Sequence, residues 1–345
     1  MTLHIPEELD EVLTPEWLTA ALHPRFGVTV TSVTRGPVVA RVCTNARFRI
    51  ECDEPMPPDL PAELCAKGFF GDFMKGHRQA GEPEARFYDE VAPMLEMRTL
   101  KSVFASVDPE TRHGVVISED VVAQGATFLD ARDDYTPDLA AESLDELAKL
   151  HLATWESPQL ADVAWLAPHL GRQLEARGVN EIRHNFEGPI GAGVPDGVRD
   201  AERLVEVYRE LVAETASPSP WCIVHGDAHI NNVFLDADGH PGIVDWQLAQ
   251  RGSWYLDVGY HLGCVLSVEV RRAVEHDLVQ HYLDRIAAGG IQVPHDDEVR
   301  SGIRRGILHG LFLWGITMMV DPAITTIMLE RLGTAAADHD ALAIA

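Results

Sequence analysis

The stretch Val224-His225-Gly226-Asp227-Ala228-His229-Ile230-Asn231-Asn232-Val233-Phe234-Leu235-Asp236-Ala237-Asp238-Gly239-His240-Pro241-Gly242-Ile243-Val244-Asp245-Trp246-Gln247 decides how the rest of the chain is read. Its hexamer Asp236 to Pro241 is polar and carries Asp, Gly and Pro, so it should turn the chain. The flanks, Val233-Phe234-Leu235 and Ile243-Val244, are short apolar runs, and together they predict a hairpin. Folding it about its midpoint sets Leu235 opposite Gly242 and Asn232 opposite Asp245. In that register an amide oxygen and a carboxylate meet at one end of the hairpin, a pair of hard-oxygen ligands suited to magnesium. Asp227 lies a few residues before Asn232, in a loop opened by Gly226, where it can accept a proton from an incoming hydroxyl near that metal. Phosphoryl transfer asks for little else at its centre: an oriented nucleophile, a metal to neutralise phosphate charge, and in-line positioning.

The bulk properties leave room for such a site and exclude other classes. The 345 residues are 46% hydrophobic and 24% charged, the composition of a globular chain able to bury a sizeable core. The 28 basic residues against 54 acidic ones give a net charge of −26. No broad basic field exists to neutralise phosphates, which argues against nucleic acid and against an anionic membrane surface. The acidity reads as a device for solubility and is compatible with a cationic substrate. The five cysteines, Cys43, Cys52, Cys65, Cys222 and Cys264, are scattered and form no C-x-x-C pair, so they read as reduced core thiols of a cytosolic protein. The start, MTLHIPEELDEV, lacks the basic region and apolar core of a signal peptide, and a cytoplasmic location is expected. Gly306 to Val320 is too short to span a bilayer and reads as a buried helix.

Along the chain, Thr14-Pro15-Glu16 starts a helix that runs to Leu22: Thr14 caps, Pro15 suits the first turn and Glu16 complements the dipole. Strand patterns follow around Val28, Val30 and Val33, and at Phe48, Ile50 and Cys52, which alternate with charged residues. A Pro-rich loop precedes a short strand over Glu63 to Phe69 that carries one charge within it, Lys67, beyond Glu63 at its start. Glu84 to Met97 has Phe87, Val91 and Leu95 on one helical face, and Ser102 to Val107 with Gly114 to Ser118 predicts a second hairpin. After Asp120 the character changes, with amphipathic helices over Leu144 to Trp155 and Ala201 to Ala216 and helical patterns from Leu256 onward. A β-rich first third before a mostly helical remainder predicts an α+β protein of two lobes, residues 1–120 and 121–345.

The pattern H-G-D-x-x-x-x-N followed by D-W-Q resembles the catalytic and metal-binding motifs of the aminoglycoside phosphotransferase and choline-kinase-like superfamily, relatives of protein kinases. The D-W-Q with Arg251-Gly252 beyond it is most similar to the ecdysteroid-kinase-like branch. The resemblance implies a bilobal protein-kinase-like fold with a small β-rich N-lobe and a larger helical C-lobe, ATP and magnesium between them, and transfer of phosphate to a hydroxyl of a small molecule. It implies Asp227 as base, Asn232 and Asp245 as magnesium ligands, His225 as organiser of the loop, and Asp257 as its brace. Lys67, in Leu64-Cys65-Ala66-Lys67, looks like the strand lysine that binds the nucleotide phosphates, and Glu84 like its helix partner. Val115 to Asp120 resembles the strand leading to the hinge, which makes Ser118, Glu119 and Asp120 the expected adenine contacts. Leu147 to His151 is similar to the second-lobe helix that ends in Leu-His. The likeness runs from about residue 30 to about residue 265. It departs at Arg35 to Ala46, which has one glycine and no G-x-G-x-x-G, so Thr44 and Asn45 would have to replace backbone contacts to phosphate.

Other readings stand beside this one. The Asp and Asn residues are common in turns without chemistry. His225, Asp227 and His229 alternate, so on a strand they would share a face and could hold zinc in a hydrolase. The poor glycine loop also suits a nucleotide-binding protein without turnover. Leu308 to Met319, with Phe312, Trp314, Met318 and Met319, reads as core at helical spacing, or as the lining of an apolar acceptor site. An apolar hydroxylated acceptor is favoured over an amino sugar, for which Asp277, Asp284, Asp296, Asp297 and Glu298 are the candidate carboxylates.

Overall fold

The computed structural model describes residues 3–40 and 42–343 and divides the chain into two compact units. The first is built from the chain up to Leu95, from Thr99–Thr127 and from Asp245–Ala249; the second from Glu96–Arg98, Phe128–Val244 and the chain from Gln250 onward.

The first unit is a five-stranded antiparallel sheet of β1 (Val30–Ala40), β2 (Thr44–Cys52), β3 (Glu63–Gly68), β4 (Ser102–Val107) and β5 (Gly114–Glu119), in the order β1-β2-β3-β5-β4. The alternation in β2 buries Ala46, Phe48 and Ile50. Together with Leu64, Ala66, Val115 and Ile117 these form one apolar layer. Helix α1 (Pro15–Phe26) covers it with Leu18 and Leu22. Thr14 caps that helix by accepting from Trp17 N, and Gly27 ends it in the left-handed region at φ 70°. It runs past Leu22 because Pro24 near its end leaves the earlier turns intact.

The segment expected as one helix over Glu84 to Met97 is shorter and composite. Helix α2 (Glu82–Arg86) passes into a π turn over Phe87–Val91 and a 3-10 turn over Ala92–Met94. Leu95 is extended and exits the helix, with Pro93 just before it. The π turn keeps Phe87, Tyr88 and Val91 all buried.

The second unit is mostly helical. Helix α3 (Pro137–Thr154) and helix α4 (Ala201–Glu214) bury one face each. Strands β6 (Cys222–Val224), β7 (Val233–Leu235), β8 (Pro241–Ile243) and β9 (Gln250–Gly252) follow. Helices α5 (Tyr255–Val265), α6 (Val268–Ala288), α7 (Asp296–Gly315) and α8 (Pro322–Asp338) complete it. Every residue of α5 from Leu256 on is buried.

The β7–β8 hairpin forms, but its register is one residue from the expected one. Val233 faces Ile243, Phe234 faces Gly242 and Leu235 faces Pro241. Asn232 therefore meets Val244, whose N–H donates to its carbonyl at 2.9 Å. The cause is the loop, which has five residues instead of six. Asp236 N–H donates to His240 O at 2.9 Å, the Asp236 carboxylate accepts from Asp238 N and His240 N, and Gly239 takes φ 86°.

A second correction concerns the end of α7. Phe312 and Trp314 are core, as the helical spacing predicts. Met318 and Met319 lie beyond Gly315, where the helix ends, and are exposed. No helix among the described residues is long and apolar enough to cross a membrane, and all five cysteines are free.

Helices α5 and α7 cross through glycines. A Cβ on Gly306 would meet the Tyr255 carbonyl oxygen at 2.0 Å, and one on Gly259 would meet Ile303 O at 2.5 Å. The obstacles are backbone atoms, which cannot swing aside. Gly306→Ala should therefore destabilise the protein by about 3 kcal/mol despite alanine's better helix propensity, read as a lowered midpoint in urea unfolding.

Candidate active site

In the first unit, β3 and α2 bring Lys67 and Glu84 together, and the Asp245–Ala249 segment adds a third charge. Lys67 Nζ donates to Glu84 Oε1 at 2.9 Å and to Asp245 Oδ1 at 3.0 Å. Burial alone would drive the Lys67 pKa down, but the Asp245 and Glu84 carboxylates outweigh it and hold the ammonium well above its ordinary value. Glu84 is raised by its burial, which the Lys67 charge only partly offsets. Lys67 is thus a fixed cation shared by two carboxylates. Cys43 lies beside them, its thiol pushed up to about 11 by burial against the pull of Lys67.

Asp245 is delivered by Trp246. The Trp246 ring is fully buried and stacks on Phe87, with centroids 3.7 Å apart at 10°. Its Nε1–H donates to Thr99 Oγ1 at 3.1 Å. Asp245 itself takes φ 71°, a left-handed backbone that a non-glycine residue adopts at a cost of order 1–3 kcal/mol. The buried indole holds that strain in place.

The expected hinge residues sit at the end of β5. Glu119 N donates to Lys101 O and Asp120 N to Glu63 O, each at 3.0 Å. Ser118 Oγ donates to Glu119 O at 3.2 Å. The Asp120 carboxylate accepts from Val122 N and Ala123 N and pairs with Arg47 Nε at 2.6 Å. These N–H groups and side chains are therefore engaged within the protein. Asn45 Nδ2 lies 3.7 Å from Cys43 Sγ.

In the second unit, β6 pairs with β9 and leads into the loop of His225 to His229. Gly226 takes φ 78°, which only glycine adopts without strain, and this turns Asp227 out of the strand line. Asp257, on α5 and without solvent exposure, accepts from His225 N at 2.7 Å, Gly226 N at 2.8 Å and His151 Nε2 at 3.1 Å. Burial would raise its pKa, but His151 and these N–H donors hold it below the ordinary carboxylate value. His225 Nε2 donates to Val244 O at 2.9 Å, and its Nδ1 accepts from Asp227 N at 3.1 Å. Both ring nitrogens are spent and the ring is buried. His225 therefore cannot serve as a zinc ligand, which removes the His225/Asp227/His229 hydrolase site.

Asp227 Oδ1 accepts from Tyr260 Oη at 3.0 Å, and Oδ2 lies 3.4 Å from His229 Nε2. Burial raises the Asp227 carboxyl, but His229 and Tyr260 prevail and take it down to about 2. Asn232 Nδ2 donates to Asp227 O at 2.9 Å, which leaves its Oδ1 as the oxygen available to a cation. Among the described residues no cluster of three or more His, Cys, Asp or Glu side chains could cage a metal. Magnesium asks for less: one or two hard oxygens of the protein, with water and phosphate filling the rest. Asn232 Oδ1 in the second unit and the Asp245 carboxylate in the first are each a hard oxygen of that kind.

The sequence reading left several loop supports unnamed. Tyr208 Oη donates to His309 Nδ1 at 3.1 Å, and His309 Nε2 donates to Gly226 O at 2.8 Å. His261 Nδ1 donates to Ala228 O at 2.8 Å, and Tyr282 Oη donates to His151 Nδ1 at 2.7 Å. The density of His and Tyr in α5 and the lone His inside the apolar run of α7 signal His261 and His309; Tyr208 on α4 and Tyr282 on α6 carry no such signal.

The sequence profile described as the Phosphotransferase enzyme family matches residues 73–300. A search of curated proteins returns no match. Among solved structures, the choline kinase of Cryptosporidium parvum aligns at a TM-score of 0.53 with 10% identity, over 95% of this chain and 92% of that one. The GDP complex of a mutant aminoglycoside 2'-phosphotransferase-IIIa aligns at 0.50 with 14% identity, over 94% and 98%. At these identities the likeness is one of fold.

The buried histidines make the fold acid-sensitive. Burial lowers His261 and His113 from about 6.5 to about 4. Between those values the unfolded chain takes up protons that the folded chain refuses, so stability is lost as pH falls through that window. Melting temperature should drop from pH 7 to pH 4.5, and His261→Gln should flatten the slope.

Proposed function

As the chain belongs to the Phosphotransferase enzyme family and is a small-molecule kinase, we propose that it moves the γ-phosphoryl group of ATP onto a hydroxyl of a small molecule, with Asp227 as base. The observation that carries this reading is the carboxylate of Asp227, held by Tyr260 on one oxygen and next to His229 on the other, on a loop whose backbone is fixed from beneath by Asp257. An immobile carboxylate can orient a hydroxyl for in-line attack without paying for its own ordering.

The acceptor oxygen forms a bond to the γ-phosphorus while the bond to the bridging oxygen of ADP breaks and leaves its electron pair there. The acceptor proton passes to Asp227. A pKa of about 2 makes Asp227 a weak base toward a ground-state alcohol. Its orienting action therefore comes first and proton acceptance late, when the oxygen has become acidic, as a loose phosphoryl transition state requires. Lys67, kept charged by Glu84 and Asp245, pairs with the nucleotide phosphates. Asn232 Oδ1 and the Asp245 carboxylate would each serve as a hard-oxygen donor to magnesium, an ion that when bound would neutralise charge on the transferred phosphate. Ser118, Glu119 and Asp120 are proposed as the nucleotide-base contacts through acceptor oxygens, since the N–H groups of Glu119 and Asp120 are bonded within the protein. An apolar alcohol is the preferred acceptor class: Met318, Met319 and Val320 are exposed directly after α7, whose Trp314 packs edge-on against His229 at 5.3 Å.

An ADP-release screen with Mg·ATP against hydroxylated lipophiles and amino sugars tests the reading. Asp227→Asn should lower kcat by about 10³-fold and leave ATP affinity by calorimetry unchanged. Wild-type turnover in that variant overturns the base assignment. Lys67→Ala should instead raise the KM for ATP, visible in the same assay.

A further inference from the structure

We propose that Tyr260 is a positioning residue for phosphoryl transfer, fixing which oxygen of Asp227 faces the acceptor hydroxyl. The proposal rests on the reading of Asp227 as base.

The direction of the bond follows from donor chemistry. An ionised carboxylate can only accept, and Tyr260 Oη lies within hydrogen-bond distance of Asp227 Oδ1. The phenol is thus the donor in that bond. The one proton of Tyr260 is then committed to Asp227 Oδ1, 3.0 Å away. Burial and the neighbouring Asp227 charge hold the phenol well above its ordinary value, so the proton stays on Tyr260. The result is a one-way bond from Tyr260 to Oδ1. Oδ2, near His229 Nε2, is left as the oxygen that meets a substrate hydroxyl.

The surroundings are shaped to this ring. Tyr260 is on α5, one turn beyond Asp257, and is fully buried. The same helix therefore sets the loop backbone through Asp257 and the carboxylate rotamer through Tyr260. Opposite it, α7 carries Gly310, where a Cβ would meet Tyr260 Cδ2 at 2.4 Å and Cε2 at 2.8 Å. Helix α7 is notched at the position where the ring lies. Next to the notch, His309 stands edge-on to the ring at 5.7 Å and 84° while its Nε2 holds Gly226 O. Ring and loop are thus referenced to the same turn of α7. A phenylalanine at position 260 would fill the same space and lose only the bond to Oδ1. The carboxylate could then rotate about its χ2, a broad torsion when unrestrained.

The test uses the full chain with Mg·ATP and water as the phosphoryl acceptor, so no acceptor need be known. Tyr260→Phe should lower kcat for ADP release by about 10- to 100-fold and leave the KM for ATP within about 2-fold. Gly310→Ala, whose Cβ would press on the Tyr260 ring, should show a loss in the same direction and serves if Tyr260→Phe does not fold. In the Asp227→Asn background, measured by single turnover with excess enzyme, Tyr260→Phe should cause no further loss, because the group it positions is gone. Wild-type kcat in folded Tyr260→Phe overturns the proposal, as does an equal loss in both backgrounds, which marks a structural role alone. Failure of the base assignment looks different: Asp227→Asn alone then keeps its turnover.

Discussion

A carboxylate with no solvent contact needs its hydrogen-bond capacity met from within the protein, and Asp257 meets its own with the backbone of the loop from His225 to His229. Two of its donors are the consecutive N–H groups of His225 and Gly226, and the third is His151, itself oriented by Tyr282. Remove the charge and three buried donors lose their acceptor at once. The loop is therefore as rigid as helix α5 on which Asp257 sits, and α5 is fixed in turn by its glycine crossing with α7. Everything the loop presents, including the direction of Asp227, inherits that rigidity.

Around this anchor the second unit repeats one device. A buried aromatic donor meets a polar group whose other side meets the loop: Tyr208 through His309 to Gly226 O, and Tyr282 through His151 to Asp257, while Tyr260 meets Asp227 directly. Each relay satisfies buried groups that would otherwise cost stability, and each converts helix packing into loop geometry. The first unit uses a different device for its fixed charges. The stacked pair Phe87 and Trp246 sets Asp245 against Lys67, so an aromatic contact positions an ion pair.

Much of this was legible in the chain. The H-G-D-x-x-x-x-N and D-W-Q spacing, the alternation in β2 and the Thr14-Pro15 start of α1 are local signals, and they led to a kinase-like α+β fold that the family match supports. The hairpin register was legible only to within one residue, because it depends on whether Asp236 closes a five- or a six-residue loop by accepting from Asp238 N and His240 N. The helix after Glu84 was overextended, because the apolar spacing at Phe87, Val91 and Leu95 reads alike for an α helix and for a π turn that ends early. Met318 and Met319 were taken into a helix that stops at Gly315, where hydrophobicity carries no stop signal.

The sequence by itself determined which chemistry is available: a carboxylate in a glycine-opened loop, an amide and a second carboxylate at hairpin ends, and a strand lysine. Motif spacing suffices for that, because these groups are placed by turns a few residues long. Tertiary structure alone decided how they are held. Tyr260, His309 and Trp246 act between segments distant in sequence, through hydrogen bonds whose direction depends on which buried group has a proton to give. No local pattern encodes that pairing, since it exists only once α5 and α7 have packed and each buried donor has had to find its acceptor.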